Sequence, residues 1–400
     1  QVFGLQDFRP HQQEIIERLI DGGDAFVLMP TGGGKSLCYQ LPALHRPGLA
    51  IVVSPLISLM KDQVDALRAN GVRAAMYNSN LNSGEAREVL EALHSGELDL
   101  LYVAPERMMR PGFLHSLESM QVALIAIDEA HCVSQWGHDF RPEYVALGEL
   151  REQFPGTPFI ALTATADPQT REDIVGVLRL QDAQRFVTSF DRPNIRYTVL
   201  EKHRPQAQLV RFLNEREEES GIVYALSRKR TEEVADHLAD RGFSAAAYHA
   251  GLNADVRRDV QERFLRDEVS IVVATVAFGM GIDKPNVRFV VHYDMPRHLE
   301  GYYQETGRAG RDGLASEALL LFGTQDAAMA RYQIEQGRNE EQKRVELHKL
   351  NAMVGFGESQ SCRRRVLLGY LGESLEQDCG NCDVCLDPPE RFDGTEAARK

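Results

Sequence analysis

The sequence predicts an α/β fold in which two lobes with parallel β-sheets precede a small helical, cysteine-rich segment. Short aliphatic and β-branched runs, such as Leu49–Val53 and Ile271–Ala274, alternate with amphipathic stretches such as Ser83–His94. Continuous apolar strands are typical of parallel sheets covered on both faces. The alternation stops and restarts around Ser189–Arg204, where polar residues including the string DRPN cluster. We therefore interpret that stretch as a hinge between two lobes.

The aliphatic runs give the strand predictions: Phe26–Met29, Leu49–Val53, Leu100–Val103, Val122–Ile127, Phe159–Leu162, Gly221–Ala225, Ile271–Ala274, Phe289–His292 and Ala318–Phe322. The stretches of helical period include Ser58–Arg68, Ser83–His94, Lys229–Arg241 and Asp255–Arg266. After about Gln325 the pattern becomes helical and charged. We place a first lobe at 1–190, a second at 191–325, a helical metal-binding segment at 326–388 and the start of a further C-terminal region at 389–400.

Composition limits the classes of function. The 400 residues are 43% hydrophobic and 26% charged, which is typical of a soluble globular protein. No apolar run approaches the ~20 residues of a membrane span and no secretory signal is visible, so we expect no membrane partner and a cytoplasmic location, at the nucleoid in a bacterium. The chain begins at Gln1 rather than Met, which suggests a trimmed start. The net charge of −14 argues against coating nucleic acid by bulk charge, but not against phosphate contacts from a few placed groups.

A glycine-rich segment, Met29–Ser36, follows a predicted strand and precedes a helical stretch. Its central residues would let backbone N–H groups curl around nucleotide phosphates; they are Thr31, Gly32, Gly33 and Gly34. Lys35 would reach the β- and γ-phosphates, and Ser36 would ligate Mg²⁺. The general phosphate-loop pattern has glycine where Met29 stands, and a simple glycine turn is the alternative. The strand–loop–helix context favours the nucleotide site.

Two carboxylates, Asp128 and Glu129, follow the apolar run Val122–Ile127. A carboxylate at such a strand end is well placed to hold Mg²⁺ through water, and its neighbour can polarise the attacking water as a general base. Acidic residues after a strand often only cap a helix. Roughly ninety residues after a phosphate loop, the pair indicates a nucleoside triphosphatase.

Two arginines, Arg308 and Arg311, lie within the string Gln304–Asp312 of the second lobe. At a spacing of three they share one face and can point across a cleft. An arginine that stabilises a transferring phosphoryl group is worth about 10³–10⁵-fold in rate. The alternative is a surface salt-bridge pair. An arginine on a separate lobe would make hydrolysis depend on lobe closure.

Eight short strings of this sequence resemble, in the same order along the chain, the motifs of superfamily 2 helicases, and most of all those of the RecQ family. The matching strings are Phe8–Gln12, Met29–Ser36, Ser54–Gln63, Asp128–His131, Thr163–Thr165, Tyr248–Leu252, Ala274–Gly281 and Gln304–Asp312. The resemblance implies two tandem RecA-like lobes followed by a small helical zinc-binding element. It also implies ATP, Mg²⁺ and Zn²⁺ as cofactors.

The family's adenine-reading motif corresponds to the segment before the phosphate loop. By that resemblance Gln12 would hydrogen-bond the adenine edge and Arg9 would support the base. Many relatives place an aromatic residue where this chain has Leu5. Since aromatic stacking contributes about 1–3 kcal/mol in nucleic-acid sites, we expect weaker affinity for the base here.

The segment Cys132–Tyr144 resembles the aromatic-rich loop of RecQ proteins and contains Trp136, the one tryptophan of the chain. Trp136 and Phe140 could stack on bases or press on the duplex. His138 and Arg141 could reach phosphate or the nucleotide site. A core aromatic cluster is the alternative interpretation. Because the loop directly follows the catalytic carboxylates, we expect it to couple DNA binding to hydrolysis.

Further residues match family positions that contact the phosphates of a bound strand or relay between sites. In the second lobe these are Tyr224, Ser227, Arg228, His249, Gly251 and Thr275. In the first lobe they are Ser54, Pro55 and the strand end Thr163–Thr165. Each could also be an ordinary loop or capping residue.

Four of the six cysteines form a cluster near the end of the chain: Cys362, Cys379, Cys382 and Cys385. The CxxCxxC segment can wrap one ion, and Cys362 on a preceding helix completes a tetrahedron. Four thiolates suit structural Zn²⁺, with an iron–sulfur cluster as competitor, and the match to the RecQ zinc element favours zinc. Cys38 and Cys132 are expected to be small buried residues. Arg363–Arg365 are interpreted either as a DNA contact or as a charged helix face.

The resemblance implies an ATP-dependent DNA helicase that moves 3′ to 5′ on single-stranded DNA and unwinds duplex or branched DNA in recombination and repair. Two alternatives stay open: an RNA-acting member of the same superfamily, and a binding module switched by ATP. The family usually continues into a winged helix, whereas this chain stops 15 residues after Cys385, so we expect reduced affinity for duplex junctions. We expect a monomer, with a single-strand-binding protein as a partner through such further regions.

Overall fold

The computed structural model describes residues 3–4, 7–137, 139–276, 278 and 284–389. The chain divides between Phe190 and Asp191 into two units. Each unit contains a sheet in which all neighbouring strands run parallel. The predicted fold class, two parallel-sheet lobes followed by a helical cysteine-rich element, is confirmed.

The first unit is built on a sheet that has the strand order β3-β4-β2-β5-β6-β1-β7 in the described part of the chain. The strands are β1 (Ala25–Leu28), β2 (Leu49–Val53), β3 (Ala74–Tyr77), β4 (Leu100–Val103), β5 (Val122–Ile127), β6 (Phe159–Thr163) and β7 (Gln184–Val187). The helices are α1 (Gln12–Ile20), α2 (Lys35–His45), α3 (Ile57–Ala69), α4 (Ser83–His94), α5 (Pro105–Met108), α6 (Pro111–Glu118), α7 (Pro142–Val145), α8 (Leu150–Gln153) and α9 (Pro168–Val177). Short 3₁₀ turns cover Ala130–Val133 and Ala146–Glu149.

Apolar sequence and strand order together place the motifs of the first unit at one edge of its sheet. Every residue of β1, β2 and β4 is buried, because helices cover both faces. The phosphate loop follows β1, Ser54 follows β2, Asp128 follows β5 and Thr163 ends β6. These four strands are consecutive neighbours in the sheet. Their carboxyl ends therefore gather the motifs, where ligands bind in open α/β sheets.

The second unit contains a sheet with the strand order β10-β11-β9-β12-β13-β8 among its described residues. The strands are β8 (Ile195–Glu201), β9 (Ser220–Tyr224), β10 (Ala245–Tyr248), β11 (Ile271–Ala274), β12 (Val287–His292) and β13 (Ser316–Phe322). Helices α10 (Pro205–Asn214), α11 (Arg228–Ala239), α12 (Ala254–Leu265) and α13 (Leu299–Thr306) accompany it. The chain continues in α14 (Thr324–Glu335), α15 (Glu340–Glu358), α16 (Arg363–Tyr370) and α17 (Asp383–Leu386).

The stretch interpreted as a hinge, Ser189–Arg204, contains the division between the two units and also a regular strand. Its residues Ile195–Glu201 form the strand β8, which pairs in parallel with β13 along its full length. Only Ile195 and Tyr197 of this strand are buried, so its sequence lacks the apolar run that marks the inner strands. Among the described residues, no helix is both long enough and apolar enough to cross a membrane.

Candidate functional site

The phosphate loop, Met29–Ser36, contains two glycines at positions where the structure leaves no room for a side chain. Gly34 precedes α2 with φ 82°, a left-handed conformation, and a Cβ there would lie 2.3 Å from Gln12 Nε2. A Cβ at Gly33 would lie 2.9 Å from the carbonyl oxygen of Pro30. Lys35 Nζ donates to the carbonyl oxygens of Met29, at 3.0 Å, and Pro30, at 3.3 Å. The ammonium group is thereby held against the loop that would cradle the phosphates.

Gln12 and Arg9 contact the phosphate loop directly. Gln12 is 3% exposed; its Nε2 donates to the carbonyl oxygen of Gly34 at 3.0 Å, and its Oε1 accepts from the Arg9 N–H at 2.8 Å. Arg9 Nη1 donates to the carbonyl oxygen of Gly32. The predicted contact of Gln12 with an adenine edge would use the second N–H of Nε2 or the second lone pair of Oε1, because the described hydrogen bonds use one of each. Leu5 lies outside the described residues.

The two carboxylates that follow β5, Asp128 and Glu129, are both half-buried. Burial, followed by the negative charge of Glu129, raises the pKa of Asp128 to about 7, against the opposing effect of Lys35. Asp128 Oδ1 accepts from the Glu129 N–H at 3.0 Å. A half-buried carboxylate whose ionised form is disfavoured is a fitting ligand for a cation, which would favour that charged form. Ser36, at the start of α2, contacts the buried Tyr39, whose pKa is raised by burial and by nearby charges that include Asp128.

Glu129 has the left-handed φ of 48°, which is strained for a residue with a side chain and is found most often at functional sites. Its Oε2 lies 3.3 Å from Nδ1 of His131. That nitrogen is also 2.8 Å from Oγ1 of Thr163, which in turn donates to the carbonyl oxygen of Thr165. His131 therefore joins the proposed general base to the end of β6. In the sequence, His131 belongs to the matched string Asp128–His131, and its type and spacing alone indicate no role for it.

The aromatic-rich loop is anchored by polar contacts near its two ends. Arg141 donates to Asp139 Oδ2, at 2.8 Å from Nη2, and to the carbonyl oxygen of Pro55, at 2.9 Å from Nη1. Ser134 Oγ accepts from the Trp136 N–H at 3.0 Å and donates to a carboxylate oxygen of Asp173. Arg141 thus connects the loop to the residues after β2. Asp139, which orients Arg141, is a further residue that sequence reasoning missed.

Trp136 and Phe140 are both half-buried and belong to neither hydrophobic core cluster of the described chain. This position does not favour the alternative of a core aromatic cluster. His138 lies outside the described residues. Ser54 and Thr165 are each 1% exposed, and neither hydroxyl has a hydrogen-bond partner in the part of the chain that the structure describes. Their side chains are therefore interior groups rather than surface contacts.

The two arginines of the second unit differ in accessibility. Arg308 is 5% exposed and hydrogen-bonds the hydroxyl of Tyr224, whereas Arg311 is half-buried. The Tyr224 hydroxyl donates in turn to the carbonyl oxygen of Phe278 at 2.9 Å. Its ring stacks on His292, whose Nε2 lies 2.7 Å from Glu305 Oε2. A buried polar network thus supports Arg308, and Arg311 is the more accessible of the pair.

The residues expected to touch phosphates divide into buried and exposed groups. Tyr224 is 4% exposed, and burial raises its pKa, so the prediction that its side chain contacts a strand is not supported by its position. His249 is 3% exposed: Nδ1 accepts from the Gly251 N–H and Nε2 lies 3.0 Å from Glu232 Oε1. This histidine orders the loop and offers no free nitrogen.

Three of these positions remain accessible. Ser227 and Arg228 are exposed at the start of α11, where the Ser227 hydroxyl caps the helix by accepting from the Arg230 N–H. Thr275 follows β11 and is half-buried. A Cβ at Gly251 would lie 3.1 Å from Arg228 Cδ, so glycine allows the arginine to pack over this loop. Among the phosphate-contact candidates of the second unit, Ser227 and Arg228 therefore have exposed side chains, and that of Thr275 is half-buried.

The four clustered cysteines come together as a ligand set. Their sulfur atoms all lie within 4.8 Å of one another, and those of Cys379 and Cys385 are 3.9 Å apart. Tetrahedral coordination at about 2.3 Å implies sulfur separations of about 3.8 Å, which this cluster matches. Burial and neighbouring sulfurs raise the pKa of Cys379 to about 12, against a backbone hydrogen bond that lowers it. A divalent cation is the group that would let such thiols ionise together, so the set fits Zn²⁺.

Backbone N–H groups support this set, because those of Cys379, Arg363 and Asn381 donate to the sulfurs of Cys362, Cys382 and Cys379, at 3.3–3.4 Å. Cys38 and Cys132 are buried outside the cluster, as expected.

Arg363 and Arg364 are buried, at 6% and 5% exposure. Both interpretations of them, as a DNA contact and as a charged helix face, are wrong. Arg363 pairs with Asp383 at 3.0 Å and donates to the carbonyl oxygen of Phe356 at 2.6 Å. Arg364 Nη2 donates to the carbonyl oxygen of Ile195 in β8 at 2.8 Å. These arginines hold the cysteine-bearing segment to the rest of the second unit, and Asp383 also accepts from the Val199 N–H.

Comparison with known proteins gives matches to three family models that follow one another along the chain. They are DEAD/DEAH box helicase at residues 9–174, helicase conserved C-terminal domain at 204–313 and RecQ zinc-binding at 324–386. Among solved structures, Dbp5 of Saccharomyces cerevisiae bound to RNA and ADP–BeF₃ matches with a TM-score of 0.65 and 16% identity, over 86% of this chain and 94% of that one. At that identity the likeness concerns the fold alone.

Curated relatives are much closer in sequence. The ATP-dependent DNA helicase RecQ of Haemophilus influenzae is 53% identical over 100% of this chain and 64% of its own length. The protein of the same name from Bacillus subtilis is 45% identical over 99% of this chain and 68% of its own length. The chain thus spans about two thirds of the length of these relatives. With its motifs, parallel sheets and four-cysteine cluster, the chain belongs to the RecQ family.

Proposed function

We propose that this chain is an ATP-dependent DNA helicase that moves 3′ to 5′ along single-stranded DNA and unwinds duplex or branched DNA. The observation that carries the proposal is the gathering of the phosphate loop, Asp128 and Glu129 at neighbouring strand ends, together with two arginines in the second unit. The names of the relatives support DNA as the substrate. A role in recombination and repair, the 3′-to-5′ direction, action as a monomer at the bacterial nucleoid and a single-strand-binding partner are what the family resemblance implies.

Chemistry at the nucleotide is assigned to residues of both units. The phosphate-loop N–H groups and Lys35 would bind the β- and γ-phosphates, and Ser36 and Asp128 would hold Mg²⁺, which supplies charge stabilisation when bound. Glu129 would accept a proton from the attacking water, with His131 fixing the direction of its carboxylate. We assign the transition-state contact to Arg311, because Arg308 is buried in the Tyr224 network.

Coupling to DNA is assigned to the aromatic-rich loop. Trp136 and Phe140 would stack on bases, while Arg141 connects the loop to the residues after β2 and its start lies just beyond His131 in sequence. Movement of the loop upon DNA binding would thereby reach the general base Glu129 through its contact with His131. Ser227, Arg228 and Thr275 would contact strand phosphates in the second unit. The segments 1–190, 191–325 and 326–388 serve in this proposal as the two motor lobes and the zinc-binding element, and 389–400 as the start of a further region.

The deciding experiment measures ATP hydrolysis without nucleic acid, with single-stranded DNA and with single-stranded RNA. Lys35→Ala is the control, because it removes the phosphate-binding ammonium group from an otherwise unchanged loop. Stimulation by DNA that is lost in Lys35→Ala is the expected result. Stimulation by RNA alone would favour an RNA-acting relative, and no stimulation by either would favour an ATP-switched binding module.

Unwinding is then tested on duplexes that carry a 3′ or a 5′ single-stranded tail. Displacement of the strand from 3′-tailed duplex alone is the expected result. Breaking stacked pairs costs on average about 1.4 kcal/mol per step, which one cycle of ATP hydrolysis can supply. Equal displacement with a non-hydrolysable analogue would contradict a motor function.

A further inference from the structure

The segment Asp191–Asn194, with the sequence DRPN, directly precedes β8. It hydrogen-bonds the turn Gly307–Gly310, which includes Arg308 and leads to Arg311. Arg192 Nη1 donates to the carbonyl oxygen of Gly307 at 2.9 Å. Its Nη2 donates to the carbonyl oxygens of Ala309, at 2.8 Å, and Gly310, at 2.9 Å. One guanidinium group therefore holds three carbonyl groups of the four-residue turn that includes Arg308 and leads to Arg311.

Asn194 also donates hydrogen bonds to the end of this turn and to a residue beyond it. Its Nδ2 donates to the carbonyl oxygens of Gly310 and Leu314, both at 2.9 Å. Gly310 has φ 56°, and a Cβ there would lie 2.3 Å from Asn194 Nδ2 and 2.6 Å from Ser316 Oγ. The turn thus has a left-handed residue in a space without room for a side chain. Its shape is fixed by partners more than 100 residues earlier in the chain.

The segment Asp191–Asn194 is in turn held by contacts with Arg364 of the cysteine-bearing element. Arg364 Nη2 donates to the carbonyl oxygens of Arg192 and Pro193, both at 3.2 Å, and of Ile195. Its Nε lies 3.2 Å from Asp191 Oδ1. Arg364 is in the first turn of α16, two residues after the zinc-ligand candidate Cys362. Because Arg364 is 5% exposed, its guanidinium group is committed to these partners.

We propose that Arg192, Asn194 and Arg364 are positioning residues for hydrolysis: Arg364, fixed in the zinc-binding element, holds the DRPN backbone, and Arg192 and Asn194 hold the turn that presents Arg311. The inference rests on the proposed function, since it assumes that Arg311 stabilises the transition state. It gives the zinc-binding element a part in setting the catalytic rate, through hydrogen bonds that lie wholly within the second unit.

Arginine is suited to this task because its planar group offers five N–H donors in a fixed fork, whereas lysine offers a point charge on a flexible stem. A displacement of about 1 Å in a catalytic group can cost about 10²-fold in rate. Arg192→Ala is therefore expected to lower DNA-stimulated kcat about ten- to a hundredfold while KM for ATP stays within about twofold. Arg192→Lys is expected to be intermediate. Asn194→Asp, which is nearly isosteric but puts a carboxylate against two carbonyls, should lower kcat in the same way.

The experiment compares kcat and KM of these variants with Arg196→Ala, a matched control whose arginine is exposed in the same segment and is expected to behave like the unsubstituted chain. Melting temperature and zinc content are measured for each. If Arg192→Ala does not fold, Asn194→Asp decides. For Arg364→Ala, a lowered kcat with zinc retained supports the chain of contacts. Loss of zinc would show that Arg364 is needed for folding of the zinc-binding element, and would contradict its proposed positioning role.

A double substitution separates positioning from general stability. If Arg192 acts only through the turn, Arg192→Ala combined with Arg311→Ala should be no slower than Arg311→Ala alone. Additive losses, a raised KM with normal kcat, or kinetics like those of the unsubstituted chain in Arg192→Ala and Asn194→Asp would overturn the proposal. Absence of DNA-stimulated hydrolysis in the unsubstituted chain would instead refute the proposed function, so the two failures are distinct.

Discussion

Replacing Tyr224 with phenylalanine removes a single oxygen atom from the interior of the second unit. That oxygen donates to the carbonyl of Phe278 at 2.9 Å and accepts from Arg308. The stacking of the ring on His292, at 5.4 Å between centroids, does not involve the hydroxyl and should persist. The substitution therefore isolates two hydrogen bonds, one of them from a charged donor.

The magnitude follows from those two bonds. A neutral hydrogen bond contributes about 1 kcal/mol and one to a charged group about 1.5–3 kcal/mol. Tyr224→Phe should therefore lower the free energy of unfolding by about 2–4 kcal/mol. At about 2–4 °C per kcal/mol for a domain of this size, the melting temperature of the second unit should fall by roughly 5–15 °C. DNA-stimulated kcat should fall as well, because Arg308 loses the acceptor that orients it.

The assays are thermal unfolding, ATP hydrolysis and binding of fluorescent single-stranded DNA, with Tyr332→Phe as control because Tyr332 is 61% exposed. We expect the affinity for DNA to be unchanged. Normal stability with clearly weakened DNA binding would refute this reasoning and restore the expectation from the sequence that Tyr224 touches a strand phosphate.

Three further predictions concern the other sites. Trp136→Ala should leave basal hydrolysis intact and remove its stimulation by DNA, since stacking on a base is worth about 1–3 kcal/mol; unchanged stimulation would exclude the coupling role. Cys382→Ala should lower the yield of folded protein and abolish zinc binding, because structural zinc contributes about 10–16 kcal/mol in small domains. It should have no direct effect on the hydrolysis chemistry and should lower kcat only through loss of the Arg364 contacts; a stable, metal-free and fully active variant would contradict this. Protons compete with Mg²⁺ for Asp128, whose pKa is about 7, so the apparent affinity for Mg²⁺ should rise about tenfold from pH 6 to pH 8. Glu129→Gln removes a neighbouring negative charge, so it should move this rise to lower pH in Mg²⁺ titrations of fluorescent ATP-analogue binding, and an unmoved rise would exclude that charge as a cause.

The inner strands were predictable because burial on both faces demands apolar residues without interruption. The predicted run Leu49–Val53 coincides with β2, and Ile271–Ala274 with β11. The missed strands lie near or at the ends of the two sheets. Three of the four residues of β7 are exposed, and β10 reads Ala-Ala-Ala-Tyr, in which alanine gives little strand signal. Such strands form because a neighbour offers hydrogen bonds, which no local pattern records.

The nucleotide motifs were predictable for a related reason: phosphate binding fixes residue types within a few positions of one another. Contacts between distant segments were not. Nothing near Arg364 in sequence indicates that its partners lie about 170 residues earlier, at Arg192 and Ile195. Likewise, a tyrosine at a strand end could face a ligand or the core, and only packing places Tyr224 in the core. Long-range hydrogen bonding thus determines which motif residues are accessible.

The contacts of Asp383 and Arg364 with β8 have a consequence for self-association. Among the described strands, β8 is the outermost on its side of the sheet, so one row of its amide and carbonyl groups faces no other described strand. Asp383 accepts from Val199 N–H and Arg364 donates to Ile195 C=O, so the cysteine-bearing element occupies part of that row. An open row of this kind is a template for pairing with another chain. Removal of the metal should therefore expose the unpaired edge of β8, and aggregation of the metal-depleted protein should begin at that edge.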